Sequence, residues 1–385
     1  HLEQGYRLNY SLPLRWKLNE FSPNTLMTGT WTEAAQQKAK QEQQKAQQRQ
    51  VESHQAQWQD YQVVKIVNES SLIKSFYLQP VGGLKALSKF NVTAGQFLTI
   101  KVNINGQDVI RTYTISSAPA DPLLRISVKR ETSAESEDQG LVSNYLHDDI
   151  KLGHSLLLKA PKGDFVFDAA VQRPAVLLAG GVGITPMIAM ARHAMFEAIR
   201  TRSLRLLTVI AAAKNAEQRA FFDEFNQLNE QTEGGIRTFW ALSQPESDLK
   251  PGKNYHHQGR INKDLLQAVL PIDDYDFYLC GPSAFMQSMY DLLRELGISN
   301  DRIKAEEFGP ASLTRQHDAS SVEFTAIPSA NAAVVEFSQS KVEQAWTAEE
   351  GTLLEFAENH GLSPEFGCRS GQCGACKTKL LAGKV

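Results

Sequence analysis

Leu177-Leu178-Ala179-Gly180-Gly181-Val182-Gly183-Ile184-Thr185-Pro186 is the stretch on which the reading of this chain turns. An apolar run over 175–179 has the length of a buried strand and feeds a glycine-rich turn. The residues after it open a helix at Thr185 and Pro186 that continues to Arg200. Glycine lets backbone N–H groups come close to a nucleotide's phosphates, and proline in a first helical turn forfeits no hydrogen bond. The turn departs from the G-x-G-x-x-G pattern, because Pro186 stands where the third glycine would be. Taken alone it suits either a phosphate site or a purely structural turn.

Toward the C-terminus the same rhythm continues. Strands over 204–212, 236–241 and 276–279 alternate with helices over 216–228, 263–269 and 283–296. Such alternation predicts a parallel sheet covered on both faces. Cys280-Gly281-Pro282 follows the strand over 276–279. Ligands of parallel sheets bind at the carboxyl ends of the strands, so this thiol is expected in the same crevice as the glycine turn. A small buried apolar side chain is the plainer reading of a lone cysteine.

Toward the N-terminus, short β runs over 63–67, 72–78, 96–102, 109–115, 124–129 and 156–158, with one helical insert near 141–147, predict a small antiparallel barrel. One run holds Arg111-Thr112-Tyr113-Thr114: a cation for phosphates, an aromatic edge for a flavin ring and a small hydroxyl near its reactive nitrogen. The string is common by itself. Gly95-Gln96-Phe97 lies one strand earlier, and Gly140-Leu141-Val142-Ser143-Asn144 opens a helix. The free N–H groups of that helix start suit a pyrophosphate, and a cap by Ser143 or Asn144 is compatible with that role.

The order Arg-x-Tyr-Thr, Gly-Gly-Val-Gly-x-Thr-Pro, Cys-Gly-Pro resembles the ferredoxin–NADP reductase superfamily over about residues 58–310. Glu306-Glu307-Phe308-Gly309 matches its closing strand. Gly140-x-Val142-Ser143-Asn144-Tyr145-Leu146-His147 and Pro161-Lys162-Gly163-Asp164-Phe165 are similar to the reductase halves of flavohaemoglobins and to hybrid-cluster-protein reductases. The resemblance implies FAD on the barrel, with Arg111 and Ser143 at its pyrophosphate and Tyr113 and Thr114 along the ring. It also implies NAD(P)H over Gly180, Gly181, Gly183, Thr185 and Pro186, with Cys280, Gly281, Pro282, Glu306 and Phe308 at the nicotinamide end. Cys280, Thr114 and Tyr113 are the expected catalytic residues.

Cys368, Cys373 and Cys376 follow the spacing C-x4-C-x2-C, as in plant-type [2Fe–2S] ferredoxins, where a glycine-rich loop wraps the cluster. A helix over 352–360 precedes them, and a strand is expected to begin over 378–381. A zinc site prefers paired C-x2-C units, and inert thiols are the remaining reading. The ferredoxin pattern needs a fourth cysteine downstream. The first residue is His1 and the chain stops at Val385, so a truncated chain is the expected explanation. Clustered cysteines suit a metal site in a reducing compartment better than a disulfide framework.

The expected domains are an extended segment of period-2 alternation over 1–32, a Gln-rich helical linker over 33–60 and an FAD barrel over 61–172. An NAD(P)H-binding α/β domain follows over 173–312 and a partial α+β ferredoxin-like (β-grasp) domain over 321–385. The 385 residues are 42% apolar and 22% charged with net charge −3, which gives no reason to expect nucleic acid or an anionic membrane as partner. No apolar run approaches the ~20 residues of a membrane span and no signal peptide opens the chain, so a cytoplasmic location is expected.

The expected function is transfer of hydride from NAD(P)H to FAD and of single electrons to the [2Fe–2S] cluster, then to a protein acceptor, an oxygenase or reductase component. Two rivals stand beside it. A diaphorase reducing flavins or quinones would keep full turnover in a chain ending before Val322; a redox-sensing interaction protein would barely reduce ferricyanide. Lys214 or Arg219 could hold a 2′-phosphate on the nucleotide, but Glu217 would repel one, and the reading leans to NADH.

Overall fold

The computed structural model describes residues 58–82, 90–131, 140–307, 313–316, 332–338 and 340–362, with residues 364, 376, 378, 380 and 381. The expected extended segment and the linker as far as residue 57 lie outside them.

Six strands form the first unit: β1 (Gln59–Asn68), β2 (Ile73–Pro80), β3 (Phe97–Ile104), β4 (Gln107–Thr114), β5 (Leu124–Lys129) and β6 (Ser155–Lys162). They pair antiparallel in the order β4-β3-β6-β1-β2-β5. A single bridge between Ile115 and Ile126 joins the two edges and closes the barrel. Its interior holds Tyr61, Phe76, Leu78, Leu98, Ile100 and Leu158, the inward positions of alternating strands. β1 starts earlier than the linker was expected to end, because Gln59 and Asp60 already pair with Leu158 and Leu157 of β6. Their polar side chains precede the buried Tyr61 and Val63 and hide the strand's start in the sequence. Helix α1 (Leu141–Asp148) packs on the barrel through Val142 and Leu146.

The second unit runs β7 (Ala175–Gly180), α2 (Ile184–Thr201), β8 (Leu207–Ala213), α3 (Phe222–Gln231), β9 (Ile236–Leu242), β10 (His257–Gln258), α4 (Lys263–Val269), β11 (Asp276–Gly281), α5 (Ser283–Glu295) and β12 (Ile303–Glu307). The strands are parallel in the order β10-β9-β8-β7-β11-β12. Every residue of β7 is buried, as a central strand covered on both faces requires. Leu177, Met187, Trp240 and Tyr278 belong to one core, and Val176, Leu178, Leu279, Met286 and Tyr290 to the other. The chain moves outward from β7 to β9 and then returns to the opposite side of β7 as β11. The order therefore reverses between β7 and β11, and the carboxyl ends of these strands flank the crevice where such sheets bind ligands.

Two local departures have physical causes. The helix expected over 216–228 is split into a 3-10 turn (Ala216–Gln218) and α3, because Phe221 takes a left-handed φ of 62° that buries its ring in the core. The two-residue β10 is too short to leave a periodic signal. At the junction of the two units, the guanidinium of buried Arg205 donates to the Arg173 and Asp168 carbonyls, each at 2.7 Å, and pairs with Asp276 at 2.5 Å. A buried cation is tolerated when its donors are satisfied in this way.

In the C-terminal region, β13 (Ala332–Phe337) and β14 (Val342–Thr347) form an antiparallel hairpin followed by α6 (Leu353–Asn359). Thr352 and Glu355 cap α6 reciprocally, the hydroxyl accepting from the Glu355 N–H and the carboxylate from the Thr352 N–H. Thr378, Leu380 and Leu381, expected to begin a further strand, lie in none.

Candidate active site

The glycine turn is built as three close approaches and one open position. A Cβ on Gly180 would lie 2.8 Å from the Phe285 ring, and one on Gly281 would lie 2.7 Å from it. A Cβ on Gly183 would collide with the Cys280 carbonyl. Gly180, Gly183 and Gly281 thus let β7, β11 and Phe285 pack into contact. Gly181 differs: its φ is +54° and a Cβ there would meet nothing within 4 Å. It is the glycine of the turn whose backbone stands open to a ligand. Phe285, which covers two of the glycines, carried no signal in the sequence.

α2 begins at Ile184 behind the 3-10 turn Gly181–Gly183, one residue before the expected start. The Thr185 hydroxyl donates to the Val182 carbonyl at 3.0 Å and Pro186 is buried, so both side chains hold the turn together. Cys280 is fully buried against Ala179 of β7 and Glu306 of β12. Burial pushes its thiol pKa well up, the charge of Glu306 pushes the same way and the Gly281 N–H opposes. The group is therefore a neutral thiol that packs, not a thiolate nucleophile. Pro282 precedes α5 as its extended N-cap.

On the barrel, Arg111 and Tyr113 lie half-buried on β4 and Thr114 is buried at its end. The Arg111 guanidinium donates to the Ile110 carbonyl at 2.8 Å, and among the described residues no carboxylate pairs with it. Burial raises the Tyr113 phenol pKa, Arg111 lowers it and Glu131 raises it. Glu131 also meets the start of α1: its N–H donates to the Ser143 hydroxyl at 3.3 Å, and its carbonyl accepts from the Asn144 amide at 3.2 Å. The cap of α1 is Gly140 at φ +79°, not Ser143 or Asn144. The Ser143 hydroxyl turns back to the Gly140 carbonyl at 3.0 Å, and Val142 is a core residue, so what this terminus can offer a ligand is backbone N–H groups.

An open left-handed glycine at the sheet's switch point and an arginine on β4 that no carboxylate pairs among the described residues are what a phosphate-bearing cofactor and a nucleotide need, and the residues fit FAD and NAD(P)H. Of the other expected site residues, Phe308, Cys368 and Cys373 lie outside the described residues, and Cys376 is described as a half-buried free thiol.

The sequence reading also missed a buried ion cluster between barrel and sheet. Arg125 of β5 donates twice to the Ser116 carbonyl, at 2.6 and 3.2 Å, and forks onto Glu224 of α3 at 2.8 and 3.3 Å. Arg192 of α2 pairs with Glu224 at 2.8 Å and with both oxygens of Asp121. An arginine within the apolar run of β5 was the one available hint, since a buried cation needs partners.

Comparison with known proteins agrees with this geometry. Residues 63–167 match the oxidoreductase FAD-binding domain, 177–291 the oxidoreductase NAD-binding domain, and 336–385 the 2Fe-2S iron-sulfur cluster binding domain. The chain thus carries an FAD-binding and an NAD-binding oxidoreductase domain followed by a 2Fe-2S iron-sulfur cluster binding domain. It belongs to the ferredoxin–NADP reductase family. It is 39% identical to a flavohemoprotein of Bacillus cereus over 261 residues, 66% of this chain, and spans 62% of that relative's length. The FAD/NAD-binding domain of a nitric oxide dioxygenase from Vibrio cholerae is 34% identical, with a TM-score of 0.56 over 66% of this chain and 99% of that one. Phthalate dioxygenase reductase shares the fold at 23% identity and TM-score 0.51, over 85% of this chain and 87% of its own. No helix among the described residues is long and apolar enough to cross a membrane.

Proposed function

We propose that this chain is the reductase of an electron-transfer system, delivering electrons from NADH to a separate protein acceptor, an oxygenase or reductase component, in the cytoplasm. The observation that carries the reading is the open backbone at Gly181, beside the buried Cys280-Gly281 step at the switch point of the sheet. The chemistry supplied by bound FAD is acceptance of hydride from NAD(P)H and release of its electrons singly toward the [2Fe–2S] centre.

The chain's own residues bind and orient. Arg111 gives a positive charge to the FAD phosphates, and the α1 terminus at Gly140, Val142 and Ser143 adds backbone N–H donors, the Asn144 N–H being engaged by the Gly140 carbonyl. Tyr113 and Thr114 line the ring. The Gly181 N–H faces the phosphates of the nucleotide. Cys280, buried and held neutral, keeps the floor beneath the nicotinamide uncharged, with Gly281 and Pro282 keeping that floor low and Glu306 beside it. Cys368, Cys373 and Cys376 would supply three of the four thiolates that hold such a cluster. The phthalate dioxygenase reductase structure, described as modular for electron transfer from pyridine nucleotides to [2Fe–2S], supports this order of carriers for a chain with the same domain types.

Steady-state turnover with NADH separates this reading from the diaphorase. Ferricyanide reduction should persist in a chain ending before Val322, whereas reduction of a one-electron protein such as cytochrome c should need the whole chain. Equal reduction of both acceptors by both chains would transfer the function to the diaphorase reading.

A further inference from the structure

We infer that Glu224 is a positioning residue: it holds the loop over 116–121 against the nucleotide sheet at the spacing where nicotinamide and flavin rings meet. The inference rests on the function proposed above and adds to it a residue that touches neither ring. Ser116 lies two positions beyond Thr114, at the end of the strand that lines the flavin. Its carbonyl is gripped by two N–H groups of Arg125, and the same guanidinium is held by Glu224. At the loop's other end, Asp121 accepts from the Ala118 N–H at 2.7 Å and from Arg192 at 2.9 Å. Arg192 belongs to α2, the helix that opens at the glycine turn, and its remaining donor reaches Glu224.

One carboxylate therefore fastens both ends of the loop, through Arg125 of the barrel strand β5 and Arg192 of helix α2. The side chain of Arg125 is 4% exposed and those of Asp121 and Glu224 are 11% and 19% exposed, so salt and water screen these pairs poorly. Planar bidentate forks fix direction as well as distance. The Phe221 ring, 4.9 Å from the Arg125 guanidinium, closes the other side of the fork. Reaction rate is sensitive to such spacing, because a misplacement of about 1 Å far from the chemistry can cost about a hundredfold.

The test uses the full chain loaded with FAD, comparing wild type with Glu224→Gln, Asp121→Asn and the control Glu197→Gln, a carboxylate on α2 that pairs with Arg200 outside the cluster. Anaerobic mixing with NADH should show the limiting rate of flavin bleaching lowered about tenfold or more in the first two. NADH affinity should stay within about twofold, the pattern of lost positioning and not of lost binding. Amide hydrogen exchange of the FAD-free proteins gives a second readout: residues 116–121 should exchange faster in Glu224→Gln than in wild type. Glu197→Gln should match wild type throughout. Wild-type bleaching rates and exchange in both cluster variants would overturn the inference. Loss of FAD from both variants would also overturn it, since the cluster would then serve folding alone. A wild-type chain inert to NADH and NADPH would instead sink the proposed function itself.

Discussion

Cys280 carries the clearest consequence at the scale of single residues. Its sequence position next to glycine and proline suggested a ligand-facing thiol, and the structure gives that thiol no exposure to bulk water. Because the folded protein raises its pKa, the thiol keeps its proton through neutral pH and beyond the value of a free cysteine. Alkylation by iodoacetamide at pH 9 should be slow in the native protein and fast after unfolding. The linkage sign follows: the folded state binds the proton more tightly than the unfolded state, so this group's contribution to stability is present at neutral pH and is lost as pH rises through the folded-state value. In the FAD-loaded chain, Cys280→Ala should slow flavin bleaching by NADH more than it weakens nucleotide binding. Equal losses in rate and affinity would remove Cys280 from the ring surface.

At the scale of elements, the strand–turn–helix around Gly181 was legible because its logic is local. Apolar length fixes β7, the glycines fix the turn, and Pro186 fits the first turn of α2. What each glycine does was not legible, since Phe285 and the Cys280 carbonyl approach from β11 and α5, about a hundred residues away. The two kinds of glycine should separate on mutation. Gly183→Ala drives a methyl into backbone and should cost stability, about 1–3 kcal/mol as overpacking does, read as a lower Tm. Gly181→Ala meets no neighbour and should cost about 1 kcal/mol through its left-handed φ, while raising the KM for NADH several-fold. A Gly183→Ala protein as stable as wild type would contradict the packing assignment. The split of the helix expected over 216–228 is of the same kind: only the core shows that Phe221 must turn inward.

At the scale of the molecule, the domain order was written in motif order, and both sheets have the expected character. The ion cluster was illegible because its partners lie far apart in sequence: Arg125 and Glu224 are separated by 99 residues, and Asp121 and Arg192 by 71. Charge pairing at that range leaves no periodic trace. The cysteine spacing was legible for the opposite reason, since Cys368, Cys373 and Cys376 fall within nine positions of sequence. The account's central claim is that β4 of the barrel and the β7–β11 crevice together present one flavin to one nicotinamide. Anaerobic stopped-flow absorbance of the FAD-loaded chain mixed with NADH, run beside free FAD under the same conditions, tests it most directly. The account predicts bleaching of the bound flavin many orders of magnitude faster than of free FAD, preceded by a long-wavelength charge-transfer band as the rings stack. Bound flavin that bleaches no faster than free FAD, with no such band, would contradict it.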